Sequence, residues 1–496
     1  MPMLLGPILG YENNEFYTVC FLADPSITNP MLNLAGKAVQ FIKIAETPNG
    51  ILWRAGLPLA AAKNGKSYDY TLDDQGTVLK DKFGRDKWSF YVPGKTEEPK
   101  LVYASCNGFS STKLARDTAN PYALWQIMKV EHSQKPYSLM LMGGDQIYAD
   151  EIWESGLTPT INRWSHFTLD KQQKYPVGSK VQKELDKFYE QIYIKSWGAH
   201  SDMALMLASI PSVMMWDDHD IFDGWGSYAN IAEGGLQDCP VYLEVFKYAR
   251  KYFEILQIRS LNNNSLLDKN GTHYAVGLQF RNYFVLGIDN RVARTKTSLM
   301  SEEQWIAIKS GLSKLTSPIK NLLVMTGLPL VYRDFSEVDS LLQATPWRDE
   351  VEDDAHDQWT ALSHQGDRMR LIQILLDFTK QQKCRTAILS GDVHVGALGL
   401  IKDEVNTLQI TQVISSAIVH PAPTYFEWTG LSVATSDEKQ RLGNGSITAE
   451  VITPIGSDKY IRMRNYATLE MGTDNKLWVN WICEQNLKPH YPIVSV

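Results

Sequence analysis

The 496-residue chain is poorest in the features that mark membrane, secreted and nucleic-acid-binding proteins. No apolar run approaches the roughly 18 residues that a membrane-crossing helix needs. The N-terminus, Met1-Pro2-Met3-Leu4-Leu5-Gly6-Pro7, carries no basic stretch, no twin arginine and no long apolar segment, so no export leader is expected. The five cysteines, Cys20, Cys106, Cys239, Cys384 and Cys483, are scattered and include no Cys-x-x-Cys pair. That argues against a disulfide framework and against a structural zinc knuckle. No long block of Lys and Arg occurs and the net charge is -7, so no nucleic-acid-binding surface is evident. Internal repeats and low-complexity segments are also lacking. A cytoplasmic protein without a transmembrane segment is the expectation, and the sequons at Asn263, Asn270 and Asn444 read as chance matches to a permissive motif.

What is present is ordinary globular composition, 44% hydrophobic and 21% charged, in a chain too long for one core. Residues 1–97 read as β: short apolar or alternating runs such as Phe16-Thr18-Cys20-Leu22 and Trp88-Phe90-Val92 are separated by Gly, Pro, Asn and Asp turns. The natural reading is a small N-terminal all-β sandwich domain ending near Pro93-Gly94. From 98 to 496 buried strands alternate with helices, so an α/β domain is expected there. Asn120-Pro121 reads as the start of a helix reaching Glu131, and Ser301 with Gln304 as a capping box. The lysine-rich stretch from Asp170 to Tyr193 reads as an exposed helical insertion.

The informative residues sit just past the ends of the apolar runs. Leu101 to Ala104 leads into Ser105-Cys106-Asn107, and Leu139 to Met142 into Gly143-Gly144-Asp145-Gln146-Ile147-Tyr148. Ser212 to Met215 leads into Trp216-Asp217-Asp218-His219-Asp220, Tyr283 to Leu286 toward Asp289-Asn290-Arg291, and Ala387 to Leu389 into Ser390-Gly391-Asp392-Val393-His394. Runs without alternation fit strands buried on both faces, and in open α/β sheets their carboxyl ends gather in one crevice. Taken singly these residues have plain readings: Asp after Gly as turn chemistry, His394 as a structural histidine, Cys106 as small core, Tyr148 as packing. Those readings do not account for ligand-type residues at several strand ends together. Carboxylate, imidazole, thiol and phenol converging on one crevice are what a metal site requires, and two cations there would clamp a phosphoryl group. With an acidic chain, a phosphate-bearing substrate needs such local positive charge.

In order, Ala104-Ser105-Cys106, Gly144-Asp145-Gln146-Ile147-Tyr148-Ala149-Asp150, Trp216-Asp217-Asp218-His219-Asp220, Asp289-Asn290-Arg291 with Arg294, and Ser390-Gly391-Asp392-Val393-His394 resemble the blocks of PhoD-like (alkaline phosphatase D) enzymes. These form a branch of the calcineurin-like metallophosphatases. The resemblance implies a four-layer αββα sandwich beside the small N-terminal β domain. It implies that Asp145 bridges two metals, with Cys106 and Tyr148 on a ferric-type ion and Asp218, Asp392 and His394 completing the coordination. His219, with Asp218, is the implied catalytic pair, His219 acting on the leaving-group oxygen. Arg291 and Asn107 are candidate substrate contacts, Arg291 having a structural salt bridge as its equal alternative. The wider superfamily opens its first block with Asp-x-His where this chain has Ser105-Cys106-Asn107. The resemblance to the PhoD-like branch implies iron (Fe3+) and calcium as cofactors, with a dinuclear manganese or zinc site as the alternative.

The expected reaction is hydrolysis of a small-molecule, lipid or polymer phosphoester, of phosphodiesterase or alkaline phosphatase type, by in-line attack of a metal-bound hydroxide. A phospholipase-type or nucleotide phosphodiesterase, or a non-catalytic binding protein on the same fold, are the alternatives. Trp153, Trp164, Trp225, Tyr228, Trp347, Trp359, Tyr425 and Trp428 are expected mostly to pack, some of them lining a pocket for the leaving group. The run Asp349, Glu350, Glu352, Asp353 and Asp354 reads as a solvated loop, and His356, His364 and His420 as groups behind the site.

Overall fold

In the computed structural model, which describes residues 2–315, 319–335 and 357–494, the apolar runs become strands buried on both sides. Leu101–Ala104, Leu139–Gly143, Ser212–Met215, Tyr283–Gly287 and Asn321–Met325 bury every residue. Because side chains alternate between faces, such a strand needs an apolar partner on each. The second sheet shows both destinations. Val285, Leu323, Met325, Leu389 and Val413 enter a core shared with the first sheet. Leu286, Leu322, Val324, Ile388 and Ile414 enter another, with Trp305 and Leu312 of the helix Glu302–Ser313 and Leu371 and Leu375 of Gln365–Gln382. On the outer face of the first sheet, Leu124, Trp125 and Met128 of Ala123–Gln134 and Met203 and Leu207 of Ser201–Ser209 join the shared core. The layers are helix, sheet, sheet, helix, the four-layer αββα sandwich expected from the sequence.

Among the described residues the first sheet has 10 strands. At its centre Leu101–Ala104, Leu139–Gly143 and Ser212–Met215 run parallel, with antiparallel Asn465–Met471, Leu477–Cys483 and His490–Ile493 on one side. The second has nine, its middle formed by parallel Tyr283–Gly287, Asn321–Met325, Arg385–Ser390 and Leu408–Ile414. The carboxyl ends of the two parallel sets meet along one crest.

Residues before 98 are all β, as read. Pro30–Leu34, Lys37–Gln40, Lys66–Asp74, Thr77–Val78 and Trp88–Val92 make a separate five-stranded sheet. Met3–Glu12, Phe16–Ala23, Ile51–Pro58 and Ile42–Glu46 instead extend the first central sheet, with Gly10 opposite Ser212 in parallel register. Tyr17 of this extension packs on Phe90 of the small sheet with ring centroids 5.2 Å apart. One sheet of the N-terminal β unit is thus continuous with the α/β sandwich, because the edge of Ser212–Met215 needs a hydrogen-bonding partner.

Local readings shift in three places. The helix after Asn120-Pro121 starts at Ala123, with no side-chain cap. Gln304 does not complete a capping box: Ser301 caps its backbone N–H, but its side chain accepts from Asp289 N at 2.9 Å and donates to Asp289 O at 2.7 Å. The lysine-rich stretch is not simply an exposed insertion, since Ser179–Trp197 buries Val181, Leu185, Phe188, Tyr189, Ile192 and Tyr193. Its lysines occupy only the outer face. Trp164, Trp225 and Trp359 are core residues, whereas Tyr425 is exposed. Trp347, the acidic run 349–354 and His356 lie outside the described residues.

Candidate metal centre

Backbone pairing continues past the strand ends and fixes the first contacts. Cys106 N donates to Gly144 O at 3.2 Å and Asn107 N to Asp145 O at 2.8 Å, bringing Cys106 Sγ 3.3 Å from Asp145 Oδ2. Asp220 ties the next turn in: its carboxylate accepts from Asp217 N, Gln146 N, Ile147 N and Gln257 Nε2. From the second sheet, Gly391 passes close enough to Ser105 that a Cβ there would lie 2.3 Å from Ser105 Oγ. Four non-glycine residues at these turns hold left-handed backbone: Cys106 (φ 55°), Asp145 (53°), Asp392 (68°) and His394 (52°). This costs conformational energy, and such residues cluster where geometry serves function.

Three overlapping groups of donors result, each with ligand atoms within 4.8 Å of one another: Cys106, Asp145 and His394; Asp145, Asp218 and His219; Asp217, Asp218 and Asp392. Tyr148 OH lies 3.1 Å from His394 Nε2, and its ring, under which Gly108 leaves room, stacks on His219 with centroids 4.2 Å apart. Cys106, Asp145 and Asp218 are buried, while Asp392 and His394 are partly accessible and form the mouth.

The electrostatics are those of an interior short of positive charge. Burial, with Asp217, Asp218 and Asp220 nearby and against the pull of His219, pushes Asp145 well above the usual carboxylate range. Burial and then Asp217 and Asp218 do the same to Asp392. Burial lifts Asp217 to about 6 against the opposing Arg291, and Asp220 to about 7 against its backbone donors. Burial, with His420 and His219, keeps His394 neutral, as a metal-ligating imidazole must be. Asp145 Oδ1, Asp217 Oδ2 and Asp218 Oδ1 are buried without a hydrogen-bond partner, though Asp218 Oδ1 has the Arg291 guanidinium at 3.2 Å. Orphaned carboxylate oxygens in all three groups fit bound cations, which would supply the missing charge.

His219 is built differently. Its Nδ1 is 2.9 Å from Asp150 Oδ2, and Nε2 faces Asp223 at 3.9 Å. Burial disfavours its charged form, but Asp150, Asp218 and Asp223 outweigh it and hold the ring well above its ordinary value.

The sequence matches the PhoD related phosphatase family over residues 76–349 and 347–429, more than half of the chain. The chain belongs to this family. An uncharacterized protein of Saccharomyces cerevisiae is 26% identical over 384 residues, covering 64% of this chain and 53% of its own. The chain spans about half the length of that relative. A purple acid phosphatase from yellow lupin (Lupinus luteus) seeds shares the fold at 12% identity, with TM-score 0.53, over 98% of this chain and 73% of its own. A dimetal phosphatase from Danio rerio aligns over 80% of this chain and 99% of its own at 9% identity, with TM-score 0.39. Among the described residues no helix is long and apolar enough to cross a membrane.

Of the sequence-predicted residues, Cys106, Asp145, Tyr148, Asp218, His219, Asp392 and His394 come together. Arg291 and Asn107 direct their polar groups to other residues of the chain, Arg291 Nη2 lying 3.2 Å from Asp218 Oδ1. Arg291 is fully buried, salt-bridged to Asp217 and gripped by Asp357 through two 2.8 Å bonds. Asn107 Oδ1 accepts from Trp125 Nε1 at 2.9 Å. For Arg291 the geometry favours the salt-bridge alternative. Sequence reading missed Asp217 as a donor, Asp150 as the partner of His219, Gln358, which donates to Asp392 Oδ2 at 2.8 Å, and Ser416 beside Cys106. Asp150 and Asp217 stand inside the family's sequence blocks; nothing local marks Gln358 or Ser416. His420 stacks on His394 with centroids 3.7 Å apart.

Proposed function

We propose that this phosphatase hydrolyses phosphoesters, of phosphodiesterase or alkaline phosphatase type, with metal cations held by Cys106, Asp145, Tyr148, Asp218, Asp392 and His394. The observation that carries this is the set of overlapping donor groups whose buried carboxylate oxygens lack partners. The groups differ in kind. Cys106, Asp145 and His394, with Tyr148 adjoining, offer sulfur, nitrogen and phenol oxygen, which suits a ferric ion; Asp217, Asp218 and Asp392 are all carboxylate, which suits calcium. When bound, such cations supply Lewis-acid charge to a phosphoryl group and an acidified water.

The chain's own part centres on His219. Asp150 fixes its Nδ1 as a donor, Tyr148 fixes its ring plane, and the Nε2 proton is available to the leaving-group oxygen. A cation nearby would weaken the pull of Asp218 on that proton, so Asp150 is the carboxylate that retains it. Arg291 and Asn107 act as scaffold, holding the Asp217-Asp218 turn and the Cys106 turn. Residues 1–97 are taken as a β-sandwich unit and 98–496 as the catalytic unit.

A second reading, phospholipase-type specificity, is favoured by the helix Tyr425–Ala434, which begins five residues after His420. Trp428 and Leu431 pack inward, yet Tyr425, Phe426 and Val433 are 71%, 85% and 77% exposed. Elemental analysis combined with bis- and mono-nitrophenyl phosphates tests the first reading. Metal-free protein with full activity would end it. Phospholipid vesicles test the second: Phe426→Ser should slow vesicle hydrolysis and spare the soluble diester.

A further inference from the structure

Ser416 lies on no strand end read from the sequence, yet its hydroxyl touches two candidate ligands. Its Oγ accepts a hydrogen bond from His394 N at 3.1 Å and sits 3.0 Å from Cys106 Sγ. A hydroxyl carries one proton. With the backbone N–H of His394 using a lone pair, that proton is left for the sulfur. When Cys106 is a thiolate it can only accept, so the direction of the bond is fixed. Ser105 Oγ lies 3.4 Å from the same sulfur, but it donates to Ser415 O at 3.0 Å, and its proton is spent.

The loop carrying Ser416 is itself clamped. Asn465 accepts from Ser415 Oγ at 2.7 Å, donates from Nδ2 to Ser416 O at 2.8 Å and from its backbone N to Ala417 O at 2.8 Å. Ile418 N returns to Ser105 O at 3.0 Å. The hydroxyl is therefore held from the strand next to the one that presents Cys106, and all of these groups are buried.

We propose that Ser416 is a positioning residue that donates a hydrogen bond to the Cys106 thiolate and sets how strongly that sulfur gives charge to its cation. This rests on Cys106 being a ligand. An O–H donor withdraws density from sulfur, so it moves thiolate-to-metal charge transfer to higher energy, and such supporting groups tune metal affinity.

The test uses full-length protein reconstituted with cobalt(II), whose thiolate absorption is read in the near ultraviolet. Ser416→Ala is expected to move that absorption to longer wavelength and, because the sulfur and the His394 backbone both lose the hydroxyl that orients them, to weaken cobalt binding about 10- to 100-fold. Ser416→Thr, which keeps the hydroxyl, restores both, and Ser105→Ala leaves both at the wild-type values. An unmoved absorption in Ser416→Ala, or an equal movement in Ser105→Ala, overturns the proposal. Loss of the absorption in Cys106→Ala establishes the ligand independently. If Cys106→Ala retains it, the ligand assignment fails and the role of Ser416 falls with it.

Discussion

Two buried charge clusters sit side by side at the crest of the sheets, and they are balanced in opposite ways. In one, Arg291 and Arg294 face Asp217 and Asp357, with Ser227 and the Trp225 carbonyl filling further positions. Burial alone would raise Asp357, but the two guanidinium groups outweigh it and hold it well below the carboxylate range. In the other, Asp145, Asp218 and Asp392, joined by the second oxygen of Asp217, have carboxylates in excess, with partnerless oxygens on Asp145, Asp217 and Asp218 and left-handed backbone at Asp145 and Asp392. A buried charge with its counterion in the chain is part of the scaffold. A buried charge without one is a place for an ion the chain does not encode.

Substitutions can break this contrast, and the largest effect belongs to the unbalanced side. Asp145→Asn should abolish phosphoester hydrolysis and metal content together while leaving the circular dichroism spectrum intact. Retained metal in an inactive variant would remove Asp145 from the ligand set. His219→Ala should lower kcat by about 100- to 10,000-fold at unchanged metal content, because His219, although it stands in one of the three donor groups, is assigned as the acid held by Asp150 and not as a ligand. Full activity would end its assignment as acid.

On the balanced side the expected loss is in stability. Arg291→Met leaves Asp217 and Asp357 facing each other in the interior, at a cost of about 3–5 kcal/mol, read by urea denaturation of the metal-free protein. A loss below 1 kcal/mol would mean that the guanidinium is not the scaffold described. The smallest effect is one of pH. Asp217 and Asp220 are raised to about 6 and about 7, above the ~4 of an unfolded carboxylate. The folded state therefore keeps protons the unfolded chain has released. Their contribution is complete below pH ~4 and is lost as pH rises through 6 and 7. The melting temperature of metal-free protein should fall over that interval, and added metal should restore progressively more of it as pH rises. A metal-free protein whose melting temperature climbs from pH 4 to 7 would contradict the excess of buried carboxylate.

Much of this was legible in the chain. Unalternating apolar runs such as Leu139 to Met142 state that both faces of a strand are buried, and the next polar residue states where the burial ends. That was enough to bring Cys106, Asp145, Asp218, Asp392 and His394 to one place. Asp150 was visible as a residue but not as a partner, since its contact with His219 spans 69 positions. Arg291 read equally as a phosphate contact or a structural salt bridge, because an arginine at a strand end has the same local signature whether its fork meets substrate or Asp357. The outer lysines of Ser179–Trp197 hid the apolar face beneath them, which appears only when residues are spaced by the helical repeat.

By itself the sequence determined the buried strands and the crest at which ligand-type residues collect, because hydrophobic periodicity is a property of the chain alone, and the order of its blocks carried the family resemblance that implied the four layers. Only the tertiary structure decided which charges are paired and which are not. Pairing depends on distances between segments tens to hundreds of residues apart, as with Ser416 and Cys106, separated by 310 positions, and no local pattern records them.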